Sequence, residues 1–564
     1  MSRATFRRTA AVAVAALLVV SACSSDEAAK PYVDIQPATT TPGPADTTAD
    51  ERCSRGATVG DVEAIPVDGV DSDHDLTSFD GETIRFHWFP TDTGTVMDFN
   101  GAESAPTVLM GPGWSLAGDT SQEGSSLFGA LSIGALNEHG YNVLTWDPRG
   151  FGESTGTVGV NDPEAEGLDV QLLIDWLAET PGVLLDSLGD PRMGMLGSSY
   201  GGGIQLTMAA IDCRVDAIVP NMAWNSLETS LYKGETVKQG WAELLLTTAA
   251  GRDLDPHIQH AADDGLSKGT LTEDDKDWFR SRGPHDLIDR ITVPTMIVQG
   301  TVDNLFTLQE GITNYRVLRD NDVPTAMAWY CGGHGTCLTS LGNKEMVAEA
   351  SFAWLDRYVK DDESVDTGPR LRFVDQEGTT WTADDYPVGG DTDSTNLEAN
   401  GSGTLTLTAA GGSGPNTVPA VEGDPLAGLV KDITPAVATN AVDVPLTVGD
   451  VDGIALGSPH LEITYTGTDT GCSRPPRAFA QLVDVERGVV VGNQVTPFPV
   501  VLDGESHTIT VDLEVIAQRV RPGDRLTLQL VAATTAYAVG CTSGSVTFDD
   551  AHITVPVVLG LAEG

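Results

Sequence analysis

The sequence predicts an α/β core on a mostly parallel sheet with helices on both faces, interrupted by a helical cap and followed by an all-β jelly-roll domain. Three observations predict it. Short, fully apolar runs alternate with segments of helical apolar spacing as far as residue 361. Residues 223–284 keep a helical pattern with no convincing strand, as an insertion over the sheet would. From about Thr367 Gly, Thr, Val and Asp dominate, and strand-like runs recur with turn signals between them.

In chain order, "LTSFDGETIRFHWFPT" reads as a hairpin, because alternating apolar residues flank an Asp80-Gly81 turn signal. "APTVLM" (105–110) and "YNVLTWD" (141–147) read as buried strands around the helix-like "FGALSIGALNEHG", which ends at Gly140. "DVQLLIDWLAE" is a helix, "RMGML" a strand, "GGGIQLTMAAIDC" a helix and "VDAIVPN" a strand. After the cap, "TVPTMIVQG" and "PTAMAWY" are strands and "KEMVAEASFAWLDRYVKD" is the last helix. The β-region strands include "HLEITYTG", "AFAQLVDV", "GVVVG", "HTITVDLEVI" and "RLTLQLVAA". The expected organisation is residues 1–22 signal peptide, 23–55 disordered tether, 56–222 and 285–366 the two parts of the core, 223–284 cap and 367–564 β-sandwich.

The 564 residues hold 32 Lys+Arg against 81 Asp+Glu, a formal net charge of -49. Such a chain repels phosphate backbones, which argues against a nucleic-acid partner and for a solvated surface. "MSRATFRR" is basic, "TAAVAVAALLVV" is apolar and "SAC" follows, which is a targeting segment. Val20-Ser21-Ala22-Cys23 resembles a bacterial lipobox, which implies a lipid on Cys23 and an exported chain anchored to the outer face of the cytoplasmic membrane. The alternatives are a signal peptide cut near Ala22, with secretion, or a plain membrane anchor.

Beyond Cys23 six cysteines remain, an even count that suits disulfides in an exported chain. Cys331–Cys337 is local and Cys472–Cys541 lies within one domain, which leaves Cys53–Cys213. Buried thiols are the alternative. No CxxC pair suggests zinc, and the sequence calls for no cofactor.

Gly197-Ser198-Ser199-Tyr200-Gly201 matches G-x-S-x-G with Ser199 at its centre, directly after a strand and before a helix. Small neighbours let a tight turn hold the hydroxyl clear of the strand end. Gly152-Glu153-Ser154-Thr155-Gly156 matches too, but "DPRGFG" separates Ser154 from its strand and no helix follows. A serine hydroxyl needs a base, and the order for such a sheet is Ser, acid, His. Asp303 follows the strand that ends at Gly300, and His334 follows the strand that ends near Tyr330. His334 would take the Ser199 proton while Asp303 orients its ring. The backbone N–H groups of Tyr200 and Trp114 are the candidate oxyanion donors; for Gly113-Trp114 the alternative is a turn with a packed indole.

These residues resemble the X-Pro dipeptidyl-peptidase and cocaine-esterase-like (CocE/NonD) serine hydrolases. The resemblance rests on "WDPRGFGESTG", "GSSYGG", "VPTMIVQGTVDNLF", "GGHG" and "AWNSLETSLYKGETVKQGW", and more diffusely on "LRFVDQEGTTWTADDYP" and "RPGDRLTLQL". It implies an α/β-hydrolase core with a helical cap and a jelly roll, and hydrolysis of esters or amides by Ser199, His334 and Asp303. It also marks Asp147 and Arg149, read as an ion pair that supports their loop. Several members use a tyrosine hydroxyl as oxyanion donor from the early loop, where this sequence has Trp114.

His257 and His260 lack a third ligand, and Asp71, Asp73, Asp75 and Glu82 fall near calcium-loop spacing with Leu76 where glycine is required, so no metal is expected. Trp224, Trp241 and Trp278 either line an acyl pocket or pack the cap onto the core. The expected substrate is a small ester or peptide. Three readings follow: an ester or amide hydrolase, an X-Pro exopeptidase, or a surface lipoprotein whose β-domain binds a partner.

Overall fold

The computed structural model describes residues 62–98, 101–123, 131–388, 394–424 and 427–564. Cys23, Cys53, the signal peptide and all of the tether lie outside the described residues.

The organising element is a 12-stranded sheet. Its strands, in chain order, are β1 (Ala64–Pro66), β2 (Asp73–Thr77), β3 (Thr83–Phe89), β4 (Thr107–Gly111), β5 (Asn142–Trp146), β6 (Met193–Ser198), β7 (Ala217–Asn221), β8 (Thr295–Gly300), β9 (Thr325–Tyr330), β10 (Leu371–Val374), β11 (Thr380–Ala383) and β12 (Ala562–Glu563). In space they run β1-β2-β3-β5-β4-β6-β7-β8-β9-β10-β11-β12. From β5 to β10 every neighbouring pair is parallel, while β1 to β3 and β11 to β12 are antiparallel additions. Asp80-Gly81 turns β2 into β3 as expected, with Gly81 at φ 93°.

The parallel strands read as continuous apolar runs because both their faces are covered. Leu109, Leu144, Met195, Ile218, Ile297 and Met327 point to one core, shared with the helices Glu166–Glu179, Tyr200–Ile211 and Leu308–Asp320. Val108, Val143, Leu196, Val219, Val298 and Ala328 point to the other, shared with Ile133–Glu138 and Met346–Tyr358. The period-2 alternation therefore survives inside strands that look uniformly apolar.

The cap holds four helices, Leu227–Leu231, Gln239–Thr248, Pro256–Lys268 and Glu273–Arg280. It also holds a small antiparallel ladder, Tyr232–Lys233 on Thr236–Val237, where the sequence shows no convincing strand. Two residues a side across a tight turn leave too short a run for periodicity to register.

The expected boundary at residue 367 precedes two further strands of the core sheet, since β10 pairs in parallel with β9 and β11 folds back on β10. Between β11 and β12 the chain makes an antiparallel β-sandwich. One sheet pairs Ser545–Val558 with Ser394–Thr406, Gly453–Gly457 and His460–Thr468, and adds Asp503–Asp512 and Ile516–Val520. The other pairs Arg477–Asp484 with Arg525–Val531, Val489–Val490 and Thr496–Pro499, with Ala441–Thr447 beyond. Leu461, Ile463, Phe548 and Ile553 of the first meet Val444, Leu482 and Leu528 of the second in one core.

Candidate active site

Parallel strands deliver their C-terminal ends to one rim of the sheet, and the loops after β4, β6, β8 and β9 bring the candidate residues to that rim. Ser199 stands between β6 and the Tyr200–Ile211 helix with φ 57° and ψ -115°, a conformation an L-residue holds only where its surroundings enforce it. Its N–H donates to the Asn221 carbonyl at 2.8 Å, and its own carbonyl accepts from Gly202 and Gly203. The turn needs glycine at Gly201, where a Cβ would sit 2.0 Å from the Gly111 carbonyl oxygen.

His334 Nε2 lies 2.8 Å from Ser199 Oγ, and its Nδ1 lies 2.7 Å from Asp303 Oδ2. His334 is 9% exposed and Asp303 is fully buried. Asp303 Oδ2 also accepts the His334 backbone N–H at 3.0 Å, while Oδ1 accepts the N–H groups of Leu305 and Phe306 at 2.9 and 2.8 Å. A carboxylate with four donors stays put and stays an acceptor, which fixes the Nδ1–H tautomer and leaves Nε2 free to take a proton. The imidazole is wedged edge-on against Phe306 and Trp241, with ring centroids 5.0 and 5.7 Å away. The sequence-predicted Ser199, His334 and Asp303 are thus brought into one hydrogen-bonded line. As the first residue of its helix, Tyr200 offers a backbone N–H with no intrahelical acceptor. Trp114 sits in a turn closed by Leu116 N–H on the Gly113 carbonyl, and its indole donates to the Leu245 carbonyl at 3.0 Å.

Residues 88–336 match the family profile described as X-Pro dipeptidyl-peptidase (S15 family). Residues 88–336 are therefore similar to an S15-family hydrolase core, and this similarity supports a serine hydrolase of ester or dipeptidyl-peptidase type. Its fold is shared with a CocE/NonD family hydrolase from Staphylococcus aureus, at 13% identity and TM-score 0.61 over 91% of this chain and 98% of that one. An aminopeptidase from a marine sediment archaeon (Thaumarchaeota archaeon) superposes at 12% identity and TM-score 0.64 over 89% and 99%. An uncharacterised 31.7 kDa protein of Escherichia coli is 28% identical over 169 residues, 30% of this chain and 57% of that protein. The chain spans about half the length of the curated relatives it matches.

The core opens beside Ser199 into a cavity of about 110 Å³ under the cap. Apart from Ser199, its lining is apolar or aromatic: Trp114, Trp224 and Phe306 near the core, and Leu227, Leu246 and Ile258 from the cap. Trp224 thus lines the pocket, Trp241 braces His334 and donates to Asn304 Oδ1 at 2.9 Å, and Trp278 packs against His257 and Arg282. His257 and His260 both turn Nδ1 to the buried carboxylate of Asp275.

The expected Asp147–Arg149 ion pair does not form. Asp147 accepts from the Gly118 and Glu153 N–H groups at 2.7 Å each and faces His87 Nε2 at 3.4 Å. Arg149 points away, to Asp169 at 2.7 Å and Asp80 at 2.6 Å. Neighbours two apart on a turning loop face different ways, and each found a partner far off in sequence. Ser154 is structural, donating to the Asp147 carbonyl at 2.7 Å.

Cys331–Cys337 and Cys472–Cys541 are disulfides, and the first brackets His334. Cys213 is exposed, and its expected partner Cys53 lies outside the described residues. Sequence reasoning missed three residues that reach the Asp303 and His334 loops. Lys238 Nζ donates to the Leu305 carbonyl at 2.8 Å, Gln494 Nε2 to the Asp303 carbonyl at 2.7 Å and Asn493 Nδ2 to the Thr336 carbonyl at 2.8 Å. The only signal was the Gly492-Asn493 pair, a left-handed turn signature.

Proposed function

We propose that the chain is an exported carboxylic ester hydrolase that works through an acyl-enzyme on Ser199. The observation that carries this is the Ser199–His334–Asp303 line opening onto an apolar pocket. Ser199 Oγ attacks the ester carbonyl carbon as its proton passes to His334 Nε2. The carbonyl oxygen gains charge against the backbone N–H groups of Tyr200 and Trp114. The C–O bond breaks, the alcohol leaves with the His334 proton, and water repeats the sequence to free the acid. Asp303 stabilises the imidazolium in both halves.

The match to X-Pro dipeptidyl-peptidases favours a second reading as an exopeptidase. An exopeptidase must hold a free ammonium, and among the described residues the pocket lining contains no carboxylate to pair with it. That observation puts the ester first. In this reading a lipid on Cys23 holds the enzyme at the outer face of the cytoplasmic membrane, and its acidic surface keeps it off nucleic acid.

The test offers short-acyl aryl esters and Xaa-Pro anilides to the chain from Ser24 onward and to its Ser199→Ala variant. Ester turnover that Ser199→Ala abolishes, with anilides untouched, is the expected result. Dominant anilide cleavage would move the reading to the peptidase, and ester turnover surviving in Ser199→Ala would end the triad reading.

A further inference from the structure

Asp303 and His334 sit on separate loops, after β8 and β9, and a proton relay between them tolerates little drift. Misplacement by about 1 Å costs a rate factor of about 100. The core fixes their inner sides through the Asp303 carboxylate contacts and the Cys331–Cys337 bridge. Their outer sides are met by the β-sandwich.

The meeting point is two consecutive residues. Asn493 reaches the His334 loop at the Thr336 carbonyl, and Gln494 reaches the Asp303 loop at the Asp303 carbonyl itself. Asn493 is 2% exposed and lies at φ 55°, in the left-handed region that asparagine tolerates better than most residues. A buried non-glycine residue holds that conformation where its surroundings dictate it. The surroundings are close: a Cβ on Gly335 would lie 1.7 Å from the Val302 carbonyl oxygen and 3.4 Å from Asn493 Nδ2. The two loops and the 492–494 turn form one stack. A third sandwich residue, buried Glu514, accepts from Thr307 Oγ at 2.8 Å and pairs with Lys233 of the cap, closing the far end of the Asp303 loop.

We propose that Asn493 and Gln494 are positioning residues for hydrolysis, a paired clamp by which the β-sandwich sets the distance between Asp303 and His334. The proposal rests on the triad reading above. It gives the sandwich a part in the chemistry, through the loops it holds, rather than a binding role apart from it.

The experiment compares wild type, Asn493→Gly, Gln494→Met and Gln376→Ala. Glycine keeps the left-handed turn and removes the side chain; methionine keeps the length and removes the donor. Gln376 bonds the Arg519 backbone at 2.8 and 2.9 Å between core and sandwich, so its variant loosens the junction and leaves both clamp bonds in place. Readouts are kcat and KM on an aryl ester, and the rate at which an aryl phosphonate labels Ser199. Rates are normalised to the folded fraction from near-UV circular dichroism, and either clamp variant alone decides. The expected result is a tenfold or larger loss of kcat and labelling in each clamp variant, with KM within twofold. Gln376→Ala should match wild type. Wild-type labelling in a clamp variant would overturn the proposal, as would an equal loss in Gln376→Ala. Wild-type protein that is not labelled at Ser199 would overturn the triad reading instead, and this inference with it.

Discussion

The phenol of Tyr200 donates to Oε1 of Glu166 at 3.2 Å, so the residue that starts the helix behind Ser199 is tied to a buried acid. Glu166 also accepts from the Gly159 and Asp162 N–H groups at 2.6 and 3.1 Å. Burial outweighs these bonds and pushes its carboxyl up from 4.5 to about 7. Between those values the folded chain keeps a proton that the unfolded chain has lost. Stability therefore falls as pH rises from about 4.5 to about 7, by at most about 1.4 kcal/mol per pH unit. Glu166→Gln should flatten this slope in urea titrations at pH 5, 6, 7 and 8. A remainder belongs to Asp216, which burial also raises to about 7.

Asp303→Asn should lower kcat on esters by about 10³–10⁴ with KM little changed. The amide would keep its oxygen on the Leu305 and Phe306 N–H groups and turn its NH₂ toward His334 Nδ1. That forces the proton onto Nε2, where it faces Ser199 and blocks proton uptake. Steady-state kinetics beside circular dichroism checks this.

Because the pocket is apolar, each added acyl CH₂ should raise kcat/KM about fourfold until the cavity is full, from roughly 0.8 kcal/mol per buried methylene. A series from acetyl to octanoyl aryl esters measures it. Leu227→Asp places a carboxylate in the lining and should cut octanoyl turnover far more than acetyl turnover.

Arg149 and Asp169 are both almost fully buried, at 4% and 3% side-chain exposure. Arg149→Met should destabilise the fold by about 3–5 kcal/mol, because Asp169 is left charged and unpaired. KM of the protein that remains folded should not move, since Arg149 lines no part of the apolar pocket beside Ser199. Thermal melts and kinetics at low temperature separate the two effects.

The Cys331–Cys337 bridge closes a loop of sequence separation 6. Replacing both cysteines with serine should cost about 2 kcal/mol. The loss of kcat should exceed the loss of stability in proportion, since the freed segment carries His334. Comparing denaturation midpoints with turnover on one preparation tests it.

The core strands were legible because strands buried on both faces spell themselves out as apolar runs. Ser199 was legible because its turn demands small residues on each side. Asp303 and His334 followed from strand ends and order alone. The partners of Asp147 and Arg149 were not, since His87, Asp80 and Asp169 are recruited by folding and nothing local names them. No pattern within β10 says which sheet it joins. The Gln494 bond to Asp303 spans 191 residues. "GVVVGNQV" announces a strand and a turn but not what the turn touches.

The return of Ala562–Glu563 to the edge of the core sheet makes the sandwich a loop-out anchored at both ends rather than a tail. Synthesis runs from the N-terminus, so Ser199, Asp303 and His334 all leave the ribosome before the residues that clamp two of them and the strand that closes their sheet. A nascent chain of this protein carries its nucleophile long before its architecture is finished.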